Sequence, residues 1–316
     1  METGKRRGAV LIDSKYYKQV DLLLQVIPLV NKFECFALKG GTALNFFVHD
    51  APRLSVDIDL VYVPLKKRDE SLTEISESLR MLKSQITKQF QNSTVSEKVI
   101  SGGHWVSLFI SYQDIAVKVE VNTILRGTVY PVIENKVNPE ALKNLNSEHF
   151  CKIQVLDIAE FYGDKMVAAL DRQHPRDLFD IRILLEQGSI TEKIRTAFVV
   201  YLSGHNRPMH EVLKPNPVEL EPAFSSEFSG MTSVPVSIDE LHDTRQQLFA
   251  MIPGILSDDK KQFLLSLKKG EPNWSLLPVG HIDKLPSIQW KLHNIRKLDE
   301  KKRKDQLQKL EKVLGE

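Results

Sequence analysis

Cysteine and long apolar runs are the features that this sequence has least of. Among 316 residues there are two cysteines, Cys35 and Cys151, which are too few for a disulfide framework. No run of about eighteen apolar residues occurs, which excludes a membrane-spanning helix. The first residues, 1–17, also lack the apolar segment and cleavage site of a signal peptide. We therefore expect a cytoplasmic protein that has no membrane association and keeps both cysteines reduced.

An excess of charge of either sign is absent as well. Lys and Arg number 43 and Asp and Glu number 41, so the formal net charge of +2 identifies no class of partner. The apolar fraction of 42% and the charged fraction of 27% are ordinary for a soluble globular protein. A chain of 316 residues can bury a sizeable core, and we expect two domains.

The stretch from Lys39 to Val63 carries two acids inside an apolar run, in the letters Asp57-Ile58-Asp59. Residues two apart in a strand point to the same face, so Asp57 and Asp59 are predicted to project together. Carboxylates this close repel each other, and a bound divalent cation removes that cost. We therefore predict that both are ligands of Mg²⁺ (or Mn²⁺). The alternative for a lone acid pair is a solvated strand edge or a turn.

A glycine pair opens the predicted helix that precedes this strand. Gly40, Gly41 and Thr42 follow a short apolar strand and begin a run of helix-forming residues. Backbone N–H groups at such a turn, together with the positive end of the helix dipole, favour an anion. These three residues are therefore predicted to cradle the phosphates of a nucleotide.

Two polar residues lie between the glycine pair and the acids. Ser55 has the same parity as Asp57, so its hydroxyl is predicted to face the same side and to bind a phosphate. Arg53 has three possible roles at this point. It can pair with Asp57, bind a substrate phosphate through its guanidinium fork, or be a surface charge.

A third acid lies in a later strand. Apolar residues occupy every second position of Ile115–Asn122, and Lys118 and Glu120 fall on the other face. A carboxylate that faces Asp57 and Asp59 would complete a site for two metal ions, so Glu120 is predicted as a metal ligand. The alternative is a solvated face on which Lys118 and Glu120 pair with each other.

Helical periodicity recurs along the chain. Apolar spacing predicts amphipathic helices over 16–33 and 72–86, and a strand is predicted over 105–111. Asp157 followed by Glu160 has the pattern of a capping box, which predicts that a helix begins there.

Charged residues cluster on this helix and on the next. Lys165 and Arg172 share a face of the first helix, and Asp177 and Asp180 share a face of the second, which Pro175 opens. A helix of small residues that carries these charges does not have the sequence pattern of a core helix. The alternative to a functional role for these residues is an interhelix salt bridge.

Taken together, these motifs resemble a known family. They are Gly-Gly-Thr-Ala-Leu at 40–44, Arg-x-Ser-x-Asp-Ile-Asp-Leu at 53–60, Val-Lys-Val-Glu-Val-Asn-x-x-Leu-Arg-Gly at 117–127 and Arg-Asp-x-x-Asp at 176–180. The pattern is similar to that of the AbiEii/AbiGii-type nucleotidyltransferase toxins, which belong to the polymerase-β-like nucleotidyltransferase superfamily. The resemblance covers roughly residues 35–190.

The resemblance implies an α/β fold and a division of the chain. A polymerase-β-like nucleotidyltransferase core with a mixed sheet is expected over residues 1–150, and a mainly helical region over 151–316. The implied reaction moves a nucleotidyl group from an NTP to an acceptor and releases pyrophosphate, with metal at Asp57, Asp59 and Glu120.

The resemblance also implies roles for the downstream charges. Lys165 would hold the triphosphate of the nucleotide, with Arg172 beside it. Asp177 would orient Lys165 or Arg172, or touch the base or ribose. The residues with implied catalytic roles are Asp57, Asp59, Glu120, Lys165 and Asp177.

Membership of this family would bring partners with it. The expected role is that of a bacterial toxin in a toxin–antitoxin or phage-defence system, with a cognate antitoxin. The expected acceptor is RNA, at the 3′ end of tRNA. Two other classes remain open: transfer to a protein or small-molecule hydroxyl, and a non-catalytic module that only binds nucleotide.

The C-terminal part gives weaker signals. Residues 203–236 contain five prolines and are predicted to form a long irregular connection, and 238–268 are predicted to be helical. Residues 291–312 carry nine Lys or Arg and four Asp or Glu, in a predicted amphipathic helix. This basic helix is either a contact for RNA phosphates or a solvated surface.

Overall fold

A mixed sheet of seven strands lies at the centre of the described chain. The strands are β1 (Phe36–Lys39), β2 (Asp57–Tyr62), β3 (Thr94–Ile100), β4 (His104–Tyr112), β5 (Ile115–Asn122), β6 (Ile133–Lys136) and β7 (Lys152–Val155). Their order across the sheet is β3-β4-β5-β2-β1-β7-β6. Strand β2 is antiparallel to β1 and parallel to β5, so the predicted mixed sheet is confirmed.

Helices pack around this sheet and form most of the C-terminal half. They are α1 (Ser14–Val30), α2 (Gly40–Ala43, continued by a wider helical turn at Leu44–Val48), α3 (Arg68–Gln89), α4 (Pro139–Leu145), α5 (Ile158–Asp171), α6 (Pro175–Glu186), α7 (Glu192–Gly204), α8 (Met209–Leu213), α9 (Glu221–Glu227), α10 (Ile238–Ile255), α11 (Asp258–Lys269), α12 (Pro286–Lys297) and α13 (Glu300–Leu314). Short 3₁₀ turns lie at Trp274–Leu276 and Ile282–Lys284.

This computed structural model describes residues 14–188 and 190–316. Most of the N-terminal stretch in which no signal peptide was predicted lies outside the described residues. Within them, no helix is long and apolar enough to cross a membrane.

Strand β2 separates the apolar core from a polar surface. Its residues Ile58, Leu60 and Tyr62 are fully buried, β2 contacts α1, and the Tyr62 hydroxyl donates a hydrogen bond to Glu74 of α3. Each such burial stabilises the fold by about 1.5–3 kcal/mol relative to an exposed side chain. Because side chains alternate along a strand, this core fixes the register, and the intervening acids must lie on the opposite face.

Most of the predicted elements are present. The helices predicted over 16–33 and 72–86 are α1 and α3, and the strand predicted over 105–111 lies within β4. Strands β3, β6 and β7 were not predicted. Strand β7 pairs with β1 just beyond residue 150, where the predicted core ends. The division into two domains stays a prediction.

The helix predicted to begin near Asp157 does so, but its start differs from the prediction. Asp157 accepts a hydrogen bond from the Ala159 N–H at 2.8 Å. The predicted capping box is wrong, because Glu160 is buried and its carboxylate accepts from the Val129 and Tyr130 N–H groups, each at 2.9 Å. Burial raises the pKa of Glu160 to about 7. Glu160 therefore fastens the segment after β5 to α5.

Two predictions for the C-terminal half need correction. Residues 203–236 are not one long loop, because they contain helices α8 and α9. The helix predicted over 291–312 is interrupted between α12 and α13, where Leu298 is extended. Asp299 then begins α13 by accepting a hydrogen bond from the Lys302 N–H at 2.8 Å.

Candidate active site

Three carboxylates lie together on the open face of the sheet. Asp57 and Asp59 belong to β2, and Glu120 lies beside Asp59 in the neighbouring parallel strand β5. Paired residues of adjacent strands point to the same face, so the three predicted acids form one patch. The apolar residues between them anchor both strands to the core beneath.

The electrostatics of this patch disfavour its ionised state. Burial, reinforced by the neighbouring charge of Asp59, raises the pKa of Asp57 above its ordinary value. Burial also raises the pKa of Asp59, although Lys39 and Lys165 oppose that shift. A positive ligand would remove the repulsion and the desolvation cost together.

Glu120 has features of both roles that the sequence left open, a metal ligand and a surface residue paired with Lys118. It lies next to Asp59 as a third ligand would, yet its Oε2 atom is 2.6 Å from the Lys118 Nζ atom. The Glu120 side chain is 37% exposed, so it is not fixed by packing. Lys118, which pairs with Asp57 in the sheet register, supplies positive charge to this patch.

The donor set of Asp57 and Asp59 fits a divalent cation. Both supply carboxylate oxygens, which Mg²⁺ and Mn²⁺ prefer, and their own charges are incompletely balanced. No group of three or more His, Cys, Asp or Glu side chains in the described part of the chain is arranged to hold a metal ion. The third acid, Glu120, accepts a hydrogen bond from Lys118 instead. The three-ligand set therefore stays a prediction.

The glycine turn lies directly against these acids. Gly40 has a φ of +72°, and a Cβ atom there would lie 2.7 Å from Asp59 Oδ2. A Cβ atom on Gly41 would lie 2.7 Å from the Arg53 Nη2 atom and 2.9 Å from the Ser55 Oγ atom. A side chain at either position would force these neighbours to move, and the close approach brings the start of α2 to the acidic patch.

The Thr42 side chain is not among the described groups that line the cleft. Thr42 is buried, and its hydroxyl donates to the Asp57 carbonyl oxygen at 2.5 Å, which ties α2 to the start of β2. Ser55 packs against Gly41 and is absent from the described residues that line the cleft. Gly40 and Gly41 do line it, so their predicted phosphate role remains open.

Behind the glycine turn lies a buried network of alternating charges. Asp180 accepts hydrogen bonds from the Nε and Nη2 atoms of Arg53, both at 2.7 Å. The Lys165 Nζ atom lies 2.9 Å from Asp180 Oδ2 and 2.8 Å from Asp177 Oδ1. Asp177 also accepts from Arg172, at 2.5 and 2.9 Å. Three cations and two carboxylates therefore form one chain of ion pairs.

This network changes several of the sequence-based roles. All three roles considered for Arg53 are wrong, because it is buried and bound to Asp180. Asp177 does orient both Lys165 and Arg172, but it is 0% exposed and cannot touch a base or ribose. Although burial opposes ionisation, Lys165 and Arg172 hold the pKa of Asp177 well below its ordinary value. Asp177 is therefore a positioning residue.

A cleft of about 540 Å³ separates the acidic patch from α5. Charges of both signs line it: Lys39, Lys98, Lys165 and Arg172 are the cations, and Asp59, Glu120, Asp164 and Asp171 are the carboxylates. The Arg172 side chain is 62% exposed, whereas that of Lys165 is 10% exposed. Arg172 is thus the more accessible of the two predicted nucleotide-binding cations.

Among the cleft residues that were not predicted, four form two ion pairs. The Lys39 Nζ atom is 3.0 Å from Asp164 Oδ2, and the His205 Nε2 atom is 3.4 Å from Asp171 Oδ2. Lys39 could have been found because it immediately precedes the glycine pair. Asp164 and Asp171 are seven residues apart on α5, which places them on one face. No sequence signal connects His205 to this cleft.

Residues 21–294 match the family model described as "Nucleotidyl transferase AbiEii toxin, Type IV TA system". The chain therefore belongs to the AbiEii family and is a nucleotidyltransferase toxin of a type IV toxin–antitoxin system. The predicted family and enzyme class are confirmed, and the family implies an NTP substrate and an antitoxin partner.

The fold is similar to that of a solved toxin. The structure of MenT4, a nucleotidyltransferase toxin from Mycobacterium tuberculosis H37Rv, matches with a TM-score of 0.58 and 16% sequence identity. The match covers 89% of this chain and 93% of that one. At this identity the likeness shows the fold, and the predicted nucleotidyltransferase architecture is confirmed. No curated protein matches the sequence.

Proposed function

We propose that this toxin uses a divalent cation to transfer a nucleotidyl group from an NTP to the 3′ end of an RNA, with tRNA as the acceptor. The observation that carries the proposal is the arrangement of the cleft. Asp59, a carboxylate with a raised pKa, lies on one wall with Glu120, and Asp57 precedes it by two residues on β2. The exposed cation Arg172 lies on the other wall. A triphosphate and a cation are complementary to these two walls.

The glycine turn and α5 would hold the nucleotide. The backbone at Gly40 and Gly41 lets a phosphate approach the start of α2 without a side chain in the way. Arg172 binds phosphate oxygens through its planar fork, and Lys165 adds positive charge from behind. Asp177 holds both cations in place, so their geometry exists before the nucleotide arrives.

The acidic patch would serve the reacting atoms. A bound Mg²⁺ (or Mn²⁺) supplies charge that activates the acceptor hydroxyl and stabilises the leaving oxygen. Asp57 and Asp59 would hold that ion, and Glu120 would be a further ligand once freed from Lys118. The chain's own contribution is position and charge, as in other phosphoryl-transfer sites.

Modification of RNA would account for toxicity. A tRNA altered at its 3′ end cannot be used normally, so we expect growth arrest that the antitoxin prevents and that can act in phage defence. The net charge of the whole chain is close to zero, but this does not oppose RNA binding, because exposed cations are concentrated on α13 and in the cleft.

The test is a labelling experiment. The purified protein is incubated with each α-³²P-NTP, Mg²⁺ or Mn²⁺, and total cellular RNA and protein, beside the Asp57→Asn variant. We expect label in the small-RNA fraction, dependence on the divalent ion, and no label with the variant. Label in protein or in a small molecule would move the acceptor to those classes. Equal labelling by the Asp57→Asn variant would contradict the site.

A further inference from the structure

A second cavity, of about 650 Å³, opens beside the active-site cleft. We call it the Trp290 pocket, and its principal lining residues are Arg68, Ile124, Arg126, Lys284, Trp290 and His293. It lies between the start of α12, the start of α3 and the turn that follows β5.

The Trp290 pocket is continuous with the cleft. Thr123 and Ile124 line both cavities. They follow directly after β5, whose residue Glu120 belongs to the acidic patch. A chain molecule whose end lies at the acidic patch can therefore continue past this turn into the pocket.

Arg126 is a buried cation without a partner. The residue is 6% exposed, and its Nε and Nη1 atoms are buried with no hydrogen-bond partner in the described part of the chain. Burial lowers the pKa of Arg126, and the nearby charge of Arg68 adds to that effect. An unpaired buried charge of this kind is costly, and a bound anion would remove the cost.

The remaining charge of the pocket has the same sign. Arg68 and Lys284 are exposed, and neither forms an ion pair with any described carboxylate. Lys66 also lines the pocket but is already paired with Glu74, at 2.6 Å. No Asp or Glu is found among the described lining residues. The pocket therefore presents uncompensated positive charge to its contents.

An aromatic surface stands at the mouth of the pocket. Trp290 is 57% exposed, and its ring is stacked on His293 with centroids 5.7 Å apart and planes at 25°. Ile124 is 42% exposed on the side shared with the cleft. A large aromatic face this open is a stacking platform for a flat ligand.

We propose that the Trp290 pocket binds the single-stranded end of the RNA acceptor, next to the nucleotide that is modified. An unpaired base stacks on Trp290, and a backbone phosphate binds Arg126 together with Arg68 and Lys284. This inference rests on the proposed function, because the acceptor's 3′ hydroxyl must lie at the acidic patch.

Single-stranded RNA satisfies the whole set of observations. Aromatic faces interleaved with cations are the usual means of binding splayed bases and their phosphates. A base-paired duplex has no free base face to offer to Trp290. An acidic peptide would satisfy the cations but leaves the stacking surface and the continuity with the cleft unused.

The test measures binding separately from transfer. The probe is a 5′-fluorescein hexaribonucleotide that ends in CCA, titrated by fluorescence anisotropy without NTP. We expect Trp290→Ala to weaken binding about ten-fold, in line with the loss of one stacked base, and Trp290→Phe to restore most of it. Phe150→Ala is the matched control, since Phe150 is 58% exposed and lies outside the pocket.

A second pair of variants tests the phosphate contacts. Arg68→Gln with Lys284→Gln should flatten the logarithmic salt dependence by about 0.7 for each lost phosphate contact. The control replaces Lys136 and Lys269, which are exposed elsewhere. Arg126→Met should weaken binding of the probe while leaving the melting temperature unchanged or higher, because the arginine has no partner to lose. If the role of Arg126 were purely structural, the substitution would lower the melting temperature.

The outcomes separate this inference from the proposed function. Equal probe binding by Trp290→Ala and the wild type would overturn the inference, even if RNA is labelled. Tighter binding of a glutamate-rich decapeptide than of the probe would overturn it too and assign the pocket to a protein. Trp290-dependent binding without any RNA labelling would support the pocket and count against the proposed function alone.

Discussion

Two groups of charged residues lie on opposite sides of the glycine turn, and they differ in how their charge is balanced. In the acidic patch, Asp57 and Asp59 have raised pKa values, and Asp59 lines an open cleft. In the buried network, burial would raise the pKa of Asp180, but Arg53 and Lys165 outweigh it and lower that pKa. In the first group the nearby cations do not offset the effect of burial, and in the second they outweigh it.

The difference separates ligand binding from structural support. A balanced buried network is strongly disrupted when one member is removed, because its partner is left as an unpaired charge. A patch of like charges loses repulsion when one member is removed. Substitution of Asp180 should therefore lower stability, whereas substitution of Asp59 should lower activity without lowering stability. This difference separates the two roles better than proximity to the cleft does.

The largest effect on stability is expected for Asp180→Ala. Asp180 is the sole described carboxylate paired with Arg53 and one of two paired with Lys165. Its removal leaves a buried guanidinium unpaired, and we expect a loss of about 3–5 kcal/mol in the free energy of unfolding. Urea denaturation measures this. A loss below about 1 kcal/mol, typical of exposed pairs, would show that the network is not structural.

The largest effect on activity is expected for Asp59→Asn. The substitution keeps the shape and removes the charge that holds the cation, so transfer should fall by a factor of about 10² to 10³ or more. The free energy of unfolding should stay equal or rise, because repulsion is relieved. Labelling rates and urea curves on the same preparation check both. Full activity of the variant would show that Asp59 is not part of the site, and a marked loss of stability would show that its role is structural.

A smaller effect is expected for Arg172→Gln. Its side chain is 62% exposed and can reach a phosphate, while Lys165 still compensates Asp177 after the substitution. We expect nucleotide affinity to fall about ten-fold, which is the scale of one charge-assisted hydrogen bond. Titration of NTP at saturating Mg²⁺ measures it, with Lys136→Gln, an exposed cation outside the cleft, as the control. Unchanged affinity would leave Arg172 as a support for Asp177.

The sequence allowed the acidic patch to be predicted because strand parity is a local property. Apolar alternation in β2 and β5 determined which residues share a face, and this is enough to place Asp57, Asp59 and Glu120 together. The only long-range information needed was that the two strands are neighbours, which the family resemblance implied.

The buried network could not be predicted in the same way. Arg53 and Asp180 are 127 positions apart, and no periodic pattern relates a loop residue to a helix residue at that separation. The exposure of a polar side chain is likewise set by tertiary packing. For that reason the sequence did not reveal that the side chains of Thr42 and Arg53 bind other parts of the chain, or that Asp177 is fully buried.

The pH dependence of stability distinguishes the two groups by sign. Asp59 has a raised pKa in the folded state. Its contribution to the free energy of unfolding is therefore fully present below the unfolded-state pKa of about 3.9, and it is lost as the pH rises through the folded-state pKa. Asp180 has a lowered pKa, so its contribution is present above that value and is lost as the pH falls further.

We therefore expect Asp59→Asn to match the wild type near pH 4 and to become relatively more stable as the pH rises. Thermal melts from pH 4 to 8 measure the difference. Glu160, whose pKa is raised to about 7, changes stability in the same direction, but it is present in both proteins and cancels. A difference that is constant with pH would contradict the raised pKa of Asp59.

The smallest effect is expected at α13, where the same distinction between balanced and free charge applies. Lys309 pairs with Asp305 at 2.8 Å, whereas Lys301, Arg303 and Lys304 form no ion pair with any carboxylate of the described chain. Free cations on an exposed helix can contact RNA phosphates, but no α13 residue is among the described residues that line the cleft. We therefore expect a peripheral contribution to RNA binding.

Replacement of Lys301, Lys302, Arg303 and Lys304 by Gln should weaken RNA labelling about two- to three-fold near 0.15 M salt. It should also flatten the salt dependence by about 0.7 for each phosphate contact that is lost. Nucleotide affinity should not change, because the cleft keeps all of its charges. Labelling of tRNA as a function of salt, with the Lys136 and Lys269 double variant as control, measures both effects. Identical slopes for wild type and variant would make α13 a solvated surface, and the RNA contact would then lie with the Trp290 pocket alone.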